Sequence, residues 1–486
     1  MLRPGPYRAF EPKIAPPSTI LAKIQPPTGP IWALKDPTRL IDRALLMGKY
    51  LKITPPKRGS KITVAKNGQL QVPDDPIVPF IRGVGISPAM WGPAQEVLDL
   101  AVDRCYANAK RLEWLEVFAG DKGNEVYGPG NWLPEDTVRA IQEYKVCIKG
   151  PLGPEGHAHA EYDGLLREKL DLFANVKPIR SLHEQMSPLS HSTGVDMLVF
   201  REFTEDLYAD IEWKKGSPEA KQLIGLLNQE LARKIEKTVR PDSGLAIKAI
   251  SATATKRLLR LALEYAVKHK RRSVHFVHAG SSLKHTEGFF RDWGFEIARK
   301  EFGEYTVTEQ QVNEDFDGEP PRGKIVVGER SATELLQQML VQPDAFDVVA
   351  ATNLHGDFVQ SVGSALTGEL GIAPRAFVGA KAAIFEATHN LRPRPTEADH
   401  ENPASVLLCG VMLFEHLGWK DAAELVTHAV IKTLEDGRVT PDLAQQREGE
   451  QVVSTSTFAE SIVENFEEVR KSRVRQAMKR AASVGR

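Results

Sequence analysis

Cysteine is nearly absent from the sequence: three in 486 residues, Cys105, Cys147 and Cys409, each alone and without CxxC spacing. That scarcity excludes a disulfide framework or a thiolate zinc site, and it points to a reducing compartment with the three as core thiols. Aromatic residues are sparse at 7%. No apolar run approaches the ~18 residues a membrane-spanning helix needs. Charge of either sign is without excess as well, with 63 Lys and Arg against 64 Asp and Glu for a net charge of −1. Global attraction to nucleic acid or a membrane surface is thereby excluded, and any such contact has to come from a local patch.

What is present is an ordinary globular composition, 42% hydrophobic and 26% charged, in a chain long enough for about two or three packed units. Proline is concentrated at the start, with eight in the first 30 residues. Residues 1–57 are therefore expected to form an extended, polyproline-like arm without a core of its own. Its apolar Ile14, Ile20, Leu21, Ile24, Ile31 and Trp32 suit packing along another protein subunit or, failing that, a dimer mate. Arg3, Arg8, Lys13 and Lys23 against Glu11 give this end the basic bias of a mitochondrial transit peptide, although the prolines would break the amphipathic helix such a peptide needs. The expected location is the mitochondrial matrix in preference to the cytoplasm. The other end, 467–486, crowds Arg470, Lys471, Arg473, Arg475, Lys479 and Arg480 together. It reads as a helix end with either a solvated basic face or a docking segment for another protein subunit, RNA or an anionic lipid.

From about residue 58 the pattern becomes globular. KITVAKNGQLQV alternates apolar and polar residues around Asn67-Gly68, a dipeptide suited to a two-residue type I′ hairpin turn. Apolar strands then alternate with amphipathic segments: VPFIRGVGI before PAMWGPAQEVLDLAVDRCY, TKRLLRLALEYAVKHK before SVHFVHAG, ELLQQMLV before DAFDVVAATN. Leu258, Leu261, Ala262 and Tyr265 share one helical face. This alternation predicts an α/β fold with parallel strands and helices on both faces, and it places ligands at the loops beyond the strand carboxyl ends, GVGIS, HAGSS and TNLHGD. His157 and His159 in GHAHAE are a candidate metal pair without a third ligand and read more simply as an exposed loop. His275 and His278, three apart in a strand, point to opposite faces and cannot share an ion.

Several stretches together resemble the bacterial-type NADP-dependent isocitrate dehydrogenases: KITVAKNGQLQVPDDPIVPFI, NWLPEDTVRAIQEYKVCIKGPL, FREFTEDLYADIEW, TEGFFRDWGFEIARKEF, LLQQMLVQPDAFDVVAATNLHGD and GIAPRAFVGAKAAIFEATH. The resemblance covers about residues 58–466 and leaves out the arm and the tail. It implies an isocitrate/isopropylmalate dehydrogenase-like α/β fold. A large domain would form from 58–172 and 367–466, a small domain from 173–366 with a dimerisation clasp near 206–250, and two copies would interlock through the clasp.

The resemblance also implies roles. Arg167, Lys177 and Arg201 would bind substrate carboxylates and Tyr208 would protonate the enolate, while His389, Arg394 and Asn402 would face the cofactor and Asp357 a divalent metal. Other positions depart from the family pattern. Ala279 stands where the family has a proton-moving lysine, a class of loss costing roughly 10²–10⁴ in rate. Thr333 and Ser361 replace metal-binding aspartates. Glu161 and Asp163 (or, with the register slipped by one, Tyr162) replace a serine and an asparagine, and two carboxylates facing a trianion at about 4 Å would each repel it by roughly 4 kcal/mol per charge pair at an effective dielectric of about 20. The cofactor loop is Arg82-Gly83-Val84-Gly85-Ile86-Ser87, and Pro441 and Gln445 stand where a tyrosine and an arginine hold the 2′-phosphate. These departures lead to the expectation of a catalytically inactive relative serving as a structural dimeric subunit of a larger assembly and binding no cofactor. NADP and Mg²⁺ enter only under the alternatives, an active or altered-substrate dehydrogenase, or a sensor that binds metabolites in the cleft.

Overall fold

The computed structural model describes residues 50–66, 68–82, 88–150, 157–182, 194–231, 237–368, 372–387, 400–444 and 450–484. The arm over 1–49, Asn67, the 83–87 loop, His389, Arg394 and Gln445 lie outside these. So do the side chains of His157, His159 and the tail beyond Lys471.

Eleven strands form one sheet: β1 (Ile77–Ile81), β2 (Glu113–Glu116), β3 (Val146–Lys149), β4 (Leu172–Arg180), β5 (Asp196–Glu202), β6 (Ser273–His278), β7 (Thr306–Thr308), β8 (Ile325–Ser331), β9 (Val348–Ala351), β10 (Arg375–Gly379) and β11 (Ala383–Glu386). Their order across the sheet is β7-β8-β6-β9-β5-β4-β10-β11-β3-β1-β2. The helices that matter for the site are α1 (Pro88–Tyr106), α2 (His157–Lys169), α3 (Ala252–Lys268), α4 (Glu287–Glu301), α5 (Ala332–Val341), α6 (Asn353–Thr367), α7 (Ala404–Leu417), α8 (Lys420–Glu435) and α9 (Thr455–Val484). The α/β class is as expected. The expectation of parallel strands throughout needs correction, because the centre is antiparallel: β10 runs antiparallel to β4 and β11, and β4 antiparallel to β5. Only antiparallel neighbours can be linked by turns as short as the three residues between β10 and β11, whereas parallel neighbours require a crossover.

Strand alternation sorts the residues of this sheet into two faces. One register line runs Phe80, Ile148, Phe385, Ala376, Val176, Phe200, Ala350, Phe276 across eight strands, all within the main core. α3 packs against this face through Leu258, Leu259, Ala262 and Leu263, and α7 and α8 contribute to the same core. Ser251 caps α3, its hydroxyl accepting from the Ala254 N–H at 3.1 Å, a bond worth about 1 kcal/mol. A second core, between β5, β6, β9 and the helices α5 and α6, includes Val199, Val277, Leu335, Ala351 and Val359.

The 63–71 hairpin forms, pairing Thr63 with Gln71 and Val64 with Leu70, but its loop has three residues rather than two. The Gly68 N–H donates to the Ala65 carbonyl at 2.9 Å and Gly68 sits at φ 82°, which is the left-handed position a three-residue loop requires. Cys147 and Cys409 are buried free thiols. Ile53 is buried and the Lys52 N–H reaches Asp136 Oδ2 at 3.1 Å. Between Asp206 and Ile250 the chain forms a short antiparallel ribbon, Glu212–Trp213 with Leu245–Ala246, and a helix, Pro218–Leu226. Ile211, Leu226, Leu231 and Ile247 remain exposed there. No described helix is long and apolar enough to cross a membrane.

Candidate active site

The register line next to the apolar one carries charge. Lys149 of β3 pairs with Glu386 of β11, which pairs with Arg375 of β10; on the same face Phe377 pairs with Asn175 of β4 and Asn175 with Arg201 of β5. Lys149 is fully buried. Its Nζ lies 2.9 Å from both Glu386 Oε2 and Asp163 Oδ1. Burial opposes the ammonium charge, but these two carboxylates outweigh it and hold the Lys149 pKa above its usual value. Glu386 in turn bonds Arg375, with Nε at 3.0 Å, and burial is outweighed there by Arg375, Lys149 and Arg167, which keep its carboxyl well below the usual range.

Arg167 projects from α2 onto two rings, 4.8 Å from the Phe377 centroid and 5.2 Å from that of Phe203. Arg201 lies 4.8 Å from the Phe203 centroid and 5.4 Å from that of Tyr208. Its Nε donates to Asn353 Oδ1 at 2.8 Å and its Nη1 pairs with Asp357. Tyr208, 46% exposed, donates to Asp357 Oδ2 at 3.3 Å. Burial and then the Asp357 charge raise the Tyr208 pKa, so the phenol stays protonated. Arg201, Arg167, Tyr208 and Asp357 are thus brought together, with Lys177 half-buried on the same strand as Asn175.

A second network positions Tyr208. Glu287, at the start of α4, accepts from Lys248 at 2.6 Å, His355 at 3.1 Å and the Ala279 N–H at 2.9 Å. Burial is overcome by His355 and Lys248, which pull its pKa down to about 2. Lys248 also pairs with buried Asp206, whose Oδ2 accepts from the Leu354 N–H at 3.0 Å, and Asn353 Nδ2 donates to the Glu205 carbonyl at 2.9 Å. The turn carrying Tyr208 is thereby tied to the start of α6 carrying Asp357. Ala279 takes part through its backbone amide, not its side chain. His275 and His278 bond different glutamates, Glu309 at 3.2 Å and Glu329 at 2.9 Å, as opposite faces require.

The remaining positions are not gathered. Glu161 is exposed, Tyr162 stacks on Trp132 at 5.6 Å, and Thr333 and Ser361 are exposed on α5 and α6. Among the described residues no three His, Cys, Asp or Glu side chains could hold a metal. Asp357, already claimed by Arg201 and Tyr208, does not by itself fit a divalent ion, which depends on several anionic oxygens. On the cofactor side, Asn402 braces the start of α7, accepting from the Ala404 N–H at 2.9 Å and donating to Asp442 at 3.0 Å. Arg82 is held by Glu116 at 2.7 Å. The feature that suits a dinucleotide phosphate is the amino end of the 19-residue α1, which follows Gly83-Val84-Gly85 and has no acidic residue in its first turn. A cavity of about 550 Å³ lies on the opposite, apolar face, lined by Val176, Phe200, Leu261, Tyr265, Phe385 and Met412, away from the charged row.

Sequence reasoning missed Lys149, Glu386 and Arg375. The available signal was that VCIK and AIFE are buried strands ending in a charged residue at their carboxyl ends. Asp163, expected as a repulsive charge toward the ligand, pairs at 2.9 Å with Lys149, a cation it shares with Glu386.

Comparison with known proteins gives the lineage. A family model described as isocitrate/isopropylmalate dehydrogenase matches residues 77–462. The chain belongs to that family. It is similar to proteins named isocitrate dehydrogenase [NADP]: 43% identical over 420 residues to that of Archaeoglobus fulgidus, covering 86% of this chain and 99% of the relative. To the Staphylococcus aureus protein it is 40% identical over 423 residues, covering 84% and 99%. The crystal structure of isocitrate dehydrogenase from Methylococcus capsulatus superposes with a TM-score of 0.62 at 30% identity, covering 80% of this chain and 99% of that one.

These findings overturn several expectations. The inactive structural subunit is corrected, since relatives this similar over nearly their whole length bear the name of an enzyme. The absence of cofactor is corrected with it, because those names carry NADP. The mitochondrial location is unsupported, the relatives being archaeal and bacterial. In the site itself, one of the two carboxylates expected to repel anions, Asp163, shares the buried Lys149 with Glu386.

Proposed function

We propose that the protein is an NADP-dependent dehydrogenase acting on a 2-hydroxy tricarboxylate of the isocitrate class. The observation that carries this reading is the identity of 40–43% to enzymes of that name over nearly their whole length. The cationic wall of Arg167, Arg201 and Lys177 supports it, because a trianion needs several cations in one cleft. NADP, bound beyond the carboxyl ends of β1, β3 and β11, would accept hydride from the hydroxyl-bearing carbon while the hydroxyl proton passes to water, leaving a 2-oxo tricarboxylate. Arg201 and Arg167 orient the substrate carboxylates, and when the carboxylate β to the new carbonyl departs as CO2, its bonding electrons remaining as an enolate, the protonated Tyr208 phenol is placed to give its proton to that enolate. Since the described residues do not fit a divalent metal, no step is assigned to one.

The 206–250 segment, with its exposed Ile211, Leu226, Leu231 and Ile247, serves as the clasp between two copies, and the large and small domains divide near residues 172 and 366. A soluble cytoplasmic location accords with the archaeal and bacterial relatives. The test is formation of reduced nicotinamide by the full chain with isocitrate and NADP, beside NAD and in the presence and absence of Mg²⁺. No reduced cofactor under any of these conditions would refute the proposal.

A further inference from the structure

We propose that Arg375 is a specificity-determining residue that admits the third carboxylate of a tricarboxylate and so separates it from a dicarboxylate; this rests on the dehydrogenase reading above. Three guanidinium groups stand against one pair of rings. Arg375 lies 5.3 Å from Phe377, Arg167 lies 4.8 Å from the same ring and 5.2 Å from Phe203, and Arg201 lies 4.8 Å from Phe203. Phenyl faces accept cations on either side, so the ladder holds the three cations in fixed places without neutralising them.

Their existing partners are unequal. Arg201 has Asp357 and Arg375 has Glu386. Arg167 has no carboxylate within ion-pair distance among the described residues. The linked group of Lys149, Arg167, Arg201 and Arg375 meets Asp163, Asp357 and Glu386, one carboxylate fewer, and an incoming anion completes it.

Arg375 is suited to take part. Glu386 engages its Nε and Nη2, leaving the Nη1 donors without a partner among the described residues. Its side chain is 36% exposed where that of Glu386 is 2%, so it forms the outward side of the pair. Glu386 also keeps Lys149 at 2.9 Å, and Arg375 can therefore shift toward a ligand without leaving a buried carboxylate alone. A guanidinium fixed on its inner edge and open on its outer edge binds a planar carboxylate well. Arg167 and Arg201 suffice for a molecule with two carboxylates; a third finds Arg375.

The test measures dissociation constants of isocitrate and of malate, which shares the 2-hydroxydicarboxylate part, by calorimetry on full-length wild type, Arg375→Gln and Arg375→Lys. A charge-assisted hydrogen bond of this kind predicts that Arg375→Gln weakens isocitrate about 10- to 100-fold and malate less than about 3-fold. Arg375→Lys, which keeps charge but not the planar fork, should fall between, and it also carries the test if the glutamine variant does not fold. Equal weakening of both ligands, or of neither, overturns the proposal. Wild type that binds isocitrate without reducing NADP refutes the dehydrogenase reading while the isocitrate-to-malate ratio still decides Arg375. Wild type that binds neither ligand refutes both.

Discussion

The two faces of the central sheet use the same strands for opposite purposes. On one, Phe80, Ile148, Phe385, Ala376, Val176, Phe200, Ala350 and Phe276 form an unbroken apolar line. One residue along each strand, Lys149, Glu386, Arg375 and Arg201 take the opposite face. The apolar line gains stability from burial, roughly proportional to area and tolerant of exchange among similar shapes. The charged line is of a different kind: buried ions cost desolvation, and they persist only while every partner is present. The fold can therefore survive changes on one face that the site cannot survive on the other.

The largest expected effect comes from breaking the charged line at its buried centre. Lys149→Met leaves Asp163 and Glu386 without their shared cation, and loss of one partner of a buried pair costs about 3–5 kcal/mol. Denaturant unfolding should show that loss together with failure to bind tricarboxylate. Phe200→Ala removes a comparable ~3–5 kcal/mol from the other face, yet below its unfolding transition the variant should bind isocitrate within about 2-fold of wild type. If the two variants lost affinity equally, the division of labour between the faces would be wrong.

Tyr208→Phe tests chemistry without packing. The phenol is 46% exposed and touches Asp357 at 3.3 Å, so its removal should change stability by no more than about 0.5 kcal/mol. The turnover rate should drop by about 100-fold or more if it donates a proton. A fall in affinity with unchanged turnover would instead make it a binding residue.

Acid should act on the network behind the site. Glu287 is held down to about 2 from 4.5. A depressed carboxyl contributes stability that is full above its unfolded pKa and is lost as pH falls through the folded value. Thermal unfolding of wild type should accordingly decline between pH 4.5 and about 2, and Glu287→Gln should be less stable at neutral pH with a shallower decline over that window. Parallel curves for the two proteins would show that Glu287 is not the titrating group.

Much of the fold was legible because periodicity is local. The 63–71 hairpin, the helical face of Leu258 and Ala262, and the strand ending at His278 each follow from a dozen neighbouring residues. Arg167, Arg201, Tyr208 and Asp357 could be named as candidates, and the fold brings them together. The Lys149, Glu386 and Arg375 line was not legible, since it joins segments more than 200 residues apart and alternation says which face a residue takes, never which strand lies beside it. Asp163 shows the consequence most clearly. Its sign was plain in the sequence, while the cation beside it, Lys149 at the end of β3, became visible only in the folded chain.

The smallest expected effect sharpens this last contrast. Glu161 and Asp163 are two residues apart on α2, yet Asp163 has Lys149 at 2.9 Å and Glu161 is exposed. Water screens an exposed charge, so at about 4 Å it repels an approaching unit charge by only about 1 kcal/mol, and by less at higher salt. Glu161→Gln should therefore tighten isocitrate binding by no more than about 5-fold, with the gain shrinking as salt is raised. Asp163→Asn should do the reverse, weakening binding or stability because it strips Lys149 of one of its two carboxylates. Calorimetry of both variants at low and high salt separates the cases: a large gain from Asp163→Asn would mean that the Lys149 pair does not hold its charge away from the ligand.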